Sequence, residues 1–254
     1  MEQGKCNKIE CVKKSVLKFL YILKDLANIF VKRIAAIDVQ DKNLKQRIIS
    51  SLIMIPIAIY AIYVSKNLFL FLAIAIAILM SYEWLEIIKN SREEKKWKVA
   101  GFFYIAIPIY AVIRLRFISS DIVFWMFAII WTTDICAYFI GKIYGGKKLA
   151  PSISPGKTWA GFYGAIIGSA IIGFLSSFMF LGTVLFFVII SVLLSVVEQL
   201  SDLLESKFKR SFGVKDSGNI IPGHGGVLDR LDGMMLVAPF LLMLVEIFSR
   251  QFGV

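Results

Sequence analysis

The sequence has few of the residues that usually bind zinc or form disulfides. It contains one histidine, His224, and three cysteines, Cys6, Cys11 and Cys136. A structural or catalytic zinc site needs several His, Cys or acidic ligands together, so a single histidine with no cysteine nearby argues against zinc. An odd number of cysteines without paired spacing, one of them inside an apolar run, excludes a disulfide scaffold and suits a reducing compartment.

A complete nucleotide-binding P-loop is also missing. The letters GKT occur at 156–158, but the first glycine of G-x-x-x-x-G-K-S/T would fall at Pro151. We find no soluble domain, no convincing repeat and no low-complexity tract. The first long apolar run begins near Ile48, which is too far from the start for a usual signal peptide.

Apolar residues are plentiful instead, at 58% of the 254 residues, compared with about 45–50% in a typical soluble protein. They form blocks of about 18–23 residues, long enough to cross a bilayer as helices. The sequence therefore predicts an all-α polytopic membrane protein with about seven transmembrane helices. The third block is short and contains Pro108, so six or eight spans remain open. The predicted spans are 48–65, 67–88, 99–117, 121–143, 159–180, 182–203 and 232–252.

The net charge of +11 is compatible with nucleic acid, anionic lipid or nucleotide phosphate as a partner. In a membrane protein, Lys and Arg gather in cytoplasmic loops. Most of the 29 basic residues fall in segments 1–47, 89–98, 142–158 and 204–231. We therefore expect a multi-pass protein of the cell (inner) membrane, with the N-terminus and these loops in the cytoplasm and no nucleic-acid partner. The basic residues outside these segments are Lys66, Arg114, Arg116 and Arg250.

The N-terminal segment 1–47 differs from the transmembrane domain 48–254. Its apolar residues recur at helical spacing from Val16 to Ile37, with lysines mostly on the other positions. This pattern indicates an amphipathic helix. It would lie on an anionic membrane surface or pack against the rest of the protein or a partner.

Several acidic residues lie inside or beside the predicted spans, where a charge costs about 2.5–3.5 kcal/mol on insertion scales. Glu83 and Glu86 are near the end of the second span, where they would snorkel, pair with Lys89 or serve a function. Asp134 lies in the middle of the fourth span. It either contributes structural polarity or lines a polar cavity.

The sixth span carries a ladder of carboxylates. Glu198, Asp202 and Glu205 have spacing i, i+4, i+7, which places them along one helix face, and Lys209 and Arg210 follow. This is either a salt-bridged helix end or a site for a hard cation. Mg²⁺ prefers a few carboxylates, several waters and the phosphates of a substrate.

The predicted loop 204–231 offers further groups for phosphate chemistry. Its glycines allow the backbone to approach an anion and turn N–H groups toward it. Asp229 and Asp232 share a face if a helix has already begun there. His224 is either an acid–base catalyst or a residue that holds the loop. The glycines are Gly218, Gly223, Gly225 and Gly226, and the cations are Lys207, Lys209, Arg210, Lys215 and Arg230.

The other basic loop, 142–158, brings Ser152, Ser154, Lys157 and Thr158 to the start of a predicted helix. A helix N-terminus is a good phosphate site. The alternative is a capped helix start with a lysine that follows the positive-inside rule. Together, the two loops and the carboxylates indicate phosphoryl or nucleotidyl transfer to a lipid.

The stretch "SKFKRSFGVKDSGNIIPGHGGVLDRLD" from Ser206 to Asp232 resembles the signature of the phosphatidate cytidylyltransferase (CDP-diacylglycerol synthase) family. The upstream "TDICAYFIGKIYGGKKLAPSISPGKTWAG" is similar to the same family. The resemblance is strict over residues 130–235. The matching signature positions are Ser206, Lys209, Arg210, Lys215, Asp216, His224, Gly225, Gly226, Asp229, Arg230 and Asp232.

This resemblance implies the reaction of CTP with phosphatidic acid to give CDP-diacylglycerol and pyrophosphate, with Mg²⁺, and K⁺ as a possible second ion. It implies that Asp202 and Asp232 bind metal and that the enzyme is a homodimer. Asp134 is expected to support the cavity, with Arg210, Gly225 and Gly226 at the cofactor. The other expected participants are Lys209, Lys215, His224, Asp229 and Arg230 in catalysis, and Ser154, Lys157 and Thr158 in phosphate binding.

Two alternatives stay open. A lipid kinase of the same superfamily, acting on a polyprenol or phytol, would share much of this site. An ion-coupled transporter would also place acids in the membrane, although here they cluster at one end. The D-G-x-x-A-R motif of the CDP-alcohol phosphatidyltransferases is not found.

Overall fold

The computed structural model describes residues 56–218, 220 and 225–254. The predicted amphipathic segment 1–47 and the start of the first span lie outside these residues. Residues 56–63 are helical. They precede α1 (Lys66–Ile88), α2 (Glu94–Ile118), α3 (Ser120–Tyr144), β1 (Lys148–Ala150), β2 (Ser154–Thr158), α4 (Trp159–Ser176), α5 (Val184–Ser211), α6 (Leu228–Ile247) and α7 (Ser249–Phe252).

The prediction of a helical polytopic membrane protein is confirmed. Within the described residues, α1 to α5 are long and apolar enough to cross a membrane. α6 is outside this set of five because its first two turns carry Asp229, Arg230 and Asp232 and its last turn carries Glu246. The predicted number of seven spans stays a prediction.

The surface and the interior have the polarity expected in lipid. Large apolar side chains point outward, with Phe71 and Phe102 each 66% exposed. Polar groups lie between helices, as where the Thr133 hydroxyl of α3 donates to Ser195 Oγ of α5 at 3.0 Å. Because lipid removes the hydrophobic drive between helices, such contacts and close packing hold a membrane bundle together.

Glycines of α4 explain how closely it packs against α3. A Cβ on Gly161 would lie 2.6 Å from the Ala137 carbonyl oxygen, and a Cβ on Gly164 would lie 2.5 Å from Ile140 Cδ1. Gly168 meets Cys136 in the same way. The three glycines form one small-residue face, which allows two backbones to approach. This contact fixes α4 beside the half of α3 that carries Asp134.

Three predicted boundaries differ from the structure. α2 runs for 25 residues through Pro108 and is not interrupted there; proline is tolerated in a membrane helix where surrounding groups satisfy the freed backbone. The predicted loop 142–158 contains an antiparallel hairpin that pairs Lys148 with Thr158. The predicted loop 204–231 is shorter, since α5 continues to Ser211 and α6 begins at Leu228.

Candidate active site

The candidate site lies at one end of the bundle, where α1, α3, α5 and α6 meet the hairpin and residues 212–218 and 225–227. Lys157 of β2 forms an ion pair with Asp202 of α5, with Nζ 2.5 Å from Oδ2. Both side chains are 22% exposed, so water reaches this pair. Ser206, one turn further along α5, donates its hydroxyl to Asp202 Oδ1 at 3.2 Å.

Asp232 approaches the same place from α6. The Ser201 hydroxyl, next to Asp202 in the chain, donates to the Asp232 carbonyl oxygen, and the Leu236 amide donates to the same Ser201 oxygen at 3.3 Å. These contacts join α5 to α6 at the level of the two aspartates. The negative charges of Asp202 and Asp232 act on each other, and their joint role in binding a metal stays a prediction.

Asp134 and Glu198 extend the acidic region along the helices. The two carboxyl groups interact electrostatically with each other and with Asp202. Asp134 is exposed, whereas Glu198 is buried at 1% exposure. The predicted role of Asp134 in supporting a polar cavity stays a prediction. Glu198, named in the predicted ladder but not among the site residues, belongs to the same group.

Lys209 is enclosed by carboxylates of the chain itself. Its ammonium lies 3.0 Å from Glu205 Oε1 and 2.5 Å from Asp229 Oδ1, and its side chain is only 9% exposed. The flat ring of Trp84 stacks on Phe208 at 4.0 Å beside this pair. A buried cation with two anionic partners ties α5 to α6, and it is not available to a substrate phosphate in this arrangement.

Asp229 has a similar internal role. Its carboxylate accepts the amide of Ser217 at 2.9 Å and the amide of Gly226 at 3.0 Å, in addition to the Lys209 ammonium. Three donors satisfy most of its acceptor capacity. Asp229 therefore holds Ser217 and Gly226 close to each other in this structure.

The remaining signature cations are nearer the surface. Lys215 and Arg230 are exposed, and Arg210 is exposed with its guanidinium donating to the Val214 carbonyl at 2.9 Å. His224 lies outside the described residues. Gly225 has a φ of +88°, a conformation that glycine adopts without strain.

At the hairpin, Thr158 caps α4. Its hydroxyl accepts the Gly161 amide at 3.1 Å, and the residue is 4% exposed. The alternative of a capped helix start therefore applies to Thr158, whereas Lys157 forms its ion pair with Asp202. Ser154 is half-buried on β2 opposite Ala150.

The sequence reasoning missed the contacts of Glu83. This buried carboxylate on α1 accepts the Val227 and Leu228 amides, each at 2.8 Å, and the Ser217 hydroxyl at 3.0 Å. It is Glu86, exposed on the next turn, that pairs with Lys89 at 3.4 Å. The signal in the sequence was an acid inside an apolar run next to Trp84, but its contact partners lie more than 130 positions away.

Among the described residues, no three His, Cys, Asp or Glu side chains converge closely enough to bind a metal by themselves. The two aspartates provide fewer ligands than such a cluster. That is compatible with Mg²⁺, which usually keeps several waters and is bound by one or two carboxylates together with substrate phosphates. Placement of the Lys157 ammonium against Asp202 also marks this position as one that attracts a cation.

Known proteins match this sequence over most of its length. The family model described as "Cytidylyltransferase family" matches residues 45–122 and 98–248. A phosphatidate cytidylyltransferase of Rickettsia bellii is 42% identical over 219 residues, covering 82% of this chain and 93% of that protein. The protein of that name from Rickettsia conorii is 36% identical over 221 residues, covering 83% and 94%. A Brucella suis phosphatidate cytidylyltransferase is 40% identical over 185 residues, covering 71% and 66%. The chain belongs to the cytidylyltransferase family.

Proposed function

We propose that this membrane enzyme transfers CMP from CTP to phosphatidic acid, giving CDP-diacylglycerol and pyrophosphate, in the cleft between β2, α5 and α6. The observation that carries the placement is the Lys157–Asp202 pair, joined to Asp232 through Ser201. This place offers a carboxylate that can bind a cation and an ammonium that can bind a phosphate, and water reaches both. The lipid-facing helices around it are those on which a phospholipid substrate would lie.

The reaction requires no activated side-chain nucleophile. A phosphatidate oxygen attacks the α-phosphorus of CTP and forms a new P–O bond. The bond from the α-phosphorus to the oxygen bridging to the β-phosphorus breaks, and pyrophosphate leaves with that oxygen. Phosphatidate already carries negative charge near neutral pH, so catalysis depends on alignment of the two phosphates and on stabilisation of the leaving group.

Asp202 and Asp232 would hold Mg²⁺, with K⁺ as a possible second ion. When bound, Mg²⁺ supplies charge neutralisation to the phosphates. Lys157, two residues before the start of α4, is placed to exchange its contact with Asp202 for a substrate phosphate. Arg230 and Lys215, both exposed, would add positive charge at the entrance. Asp134, beside Glu198, would keep the cleft polar.

Two predicted catalytic residues take another role in this proposal. Lys209 binds Asp229, and Asp229 accepts the Ser217 amide, so both residues would position the site and would not touch the substrate. The amide of Gly226 is likewise used by Asp229. The cradle of backbone amides predicted for a phosphate is thus partly filled by carboxylates of the protein.

The distribution of basic residues supports a site on the cytoplasmic side of the cell (inner) membrane, where CTP is made. The hairpin and residues 212–227 belong to the two predicted cytoplasmic loops 142–158 and 204–231. The homodimer implied by the family resemblance stays a prediction.

The test is a labelling experiment with purified protein in phosphatidate-containing mixed micelles. CTP labelled at the α-phosphate is expected to transfer its label to a lipid that runs as CDP-diacylglycerol, and CTP labelled at the γ-phosphate is expected to label pyrophosphate only. A lipid kinase would show the opposite pattern with a polyprenol or phytol acceptor. Transfer of γ-label to lipid, or no phosphatidate-dependent transfer of α-label, would contradict the proposal.

A further inference from the structure

The buried Glu83 carboxylate of α1 accepts hydrogen bonds from residues at the start of α6. Glu83 is 1% exposed and lies in α1. One carboxylate oxygen accepts the Val227 amide and the other accepts the Leu228 amide, both at 2.8 Å. These amides lie at the start of α6, where backbone N–H groups have no partner within the helix.

The carboxylate is therefore a helix cap supplied by another helix. Val227, the residue at the N-cap position of α6, makes no side-chain cap hydrogen bond of its own. A negative charge at a helix N-terminus is favourable because of the helix dipole and the unpaired N–H groups. Glu83 meets both needs of α6 from 144 positions earlier in the sequence.

The turn is shaped to admit this carboxylate. A Cβ on Gly226 would lie 2.7 Å from Glu83 Oε2, and a Cβ on Gly218 would lie 2.9 Å from Glu83 Oε1. The Ser217 hydroxyl donates to the same carboxylate at 3.0 Å. Two glycines and a serine of the signature region thus enclose a side chain of α1.

Glu83 shares a hydrogen-bond partner with Asp229, the residue that binds Lys209. Ser217 uses its hydroxyl for Glu83 and its amide for Asp229. Gly226 donates to Asp229, and the next two amides donate to Glu83. The two carboxylates thus accept the donors of Ser217 and of residues 226–228, so the start of α6 is fixed from both sides. Asp232, one turn further along α6, takes its position from this start.

We infer that Glu83 is a positioning residue for the transfer reaction. It fixes Ser217 and the N-terminus of α6, and through them the Asp232 carboxylate. This inference rests on the proposed function for its kinetic consequence. Its structural part, the anchoring of the Val227 and Leu228 amides, stands independently of the substrate.

The experiment compares Glu83→Gln with Glu86→Gln. The first replaces one acceptor oxygen by an NH₂ group facing a backbone N–H, with almost no change of volume. The second removes the same charge from the same helix at an exposed position whose partner is Lys89. Wild type and both variants are measured for CMP transfer and for amide hydrogen exchange of peptides spanning 225–235.

For Glu83→Gln, we expect faster exchange at 227–228 and a loss of kcat of about 100-fold, the scale that a misplacement of about 1 Å produces. The KM for phosphatidate is expected to change less than kcat. Glu86→Gln is expected to stay within about twofold in both readouts, because its ion pair is solvent-exposed. Turnover of Glu83→Gln within threefold of wild type, or unchanged exchange at 227–228, would overturn the inference.

Ser217→Ala provides a milder second variant, in case Glu83→Gln is recovered in too low a yield. It removes one hydrogen bond to Glu83 and leaves the charge in place, so a smaller loss of kcat with faster exchange in the same peptide is expected. Wild-type behaviour of Ser217→Ala in both readouts would equally contradict the anchor. If wild type itself transferred no CMP, the proposed function would fail, whereas the exchange data would still decide the anchoring.

Discussion

Replacing Asp232 by asparagine is expected to reduce CDP-diacylglycerol formation to background, a loss on the order of 1000-fold, while the protein still inserts and folds. The change keeps the shape of the side chain and the hydrogen bond to the Gly233 amide. It removes the negative charge beside Asp202. A cation shared with substrate phosphates contributes several kcal/mol of charge stabilisation, which is a loss of this size.

The measurement is phosphatidate-dependent incorporation of CMP into lipid at matched amounts of folded protein. Glu246→Gln is the matched control, since Glu246 is an exposed carboxylate in the last turns of the same helix, and it is expected to retain wild-type turnover. Asp202→Asn is expected to lose as much as Asp232→Asn. Near-wild-type turnover in either aspartate variant would remove the assignment of these two residues.

Gly226→Ala is expected to be nearly as damaging, for a steric reason. The added Cβ would overlap Ser217 Oγ and lie 2.7 and 2.8 Å from the two oxygens of Glu83. Neither neighbour can withdraw freely, because each is fixed by hydrogen bonds to the turn. We expect a loss of turnover of at least about 100-fold and a less stable protein.

Gly213→Ala is the control in the same turn. Gly213 has a φ of +71° but nothing within 4 Å of its Cβ position. That substitution should cost about 1–2 kcal/mol of backbone strain without displacing Glu83, so turnover per folded molecule should stay within a few-fold. Equal turnover losses in the two variants would mean that backbone strain explains the effect, and not the displacement of Glu83 by the added Cβ.

Local patterns in the sequence predicted much of this arrangement. Apolar blocks of bilayer length gave the positions of α1 and α3 to α5 to within a few residues, apart from the longer C-terminal end of α5. Helical spacing put Glu198, Asp202 and Glu205 on one face. The family resemblance linked Asp202 with Asp232. These features depend on neighbours in the chain or on a fixed motif, so one sequence is enough to find them.

The contacts that give each residue its role were not predictable in the same way. Lys209 looked like a phosphate ligand because its buried partner Asp229 lies 20 positions away. The sequence left open whether Glu83 snorkels, pairs with Lys89 or serves a function, because its partners are at 217, 227 and 228. Burial between helices decides both cases, and helix packing is a property of the whole bundle. The prediction that the glycines approach a substrate phosphate stays a prediction; in this structure Gly218 and Gly226 lie against the Glu83 carboxylate.

Asp202 and Asp232 are proposed to hold together the cation that accompanies CTP, and binding of Mn²⁺ in place of Mg²⁺ tests this assignment. Electron paramagnetic resonance of the purified protein in lipid nanodiscs would measure bound Mn²⁺ with and without CTP. We predict CTP-dependent binding to wild type and to Glu246→Gln, and loss of that binding in both Asp202→Asn and Asp232→Asn. Undiminished CTP-dependent binding of Mn²⁺ by the two aspartate variants would contradict the account.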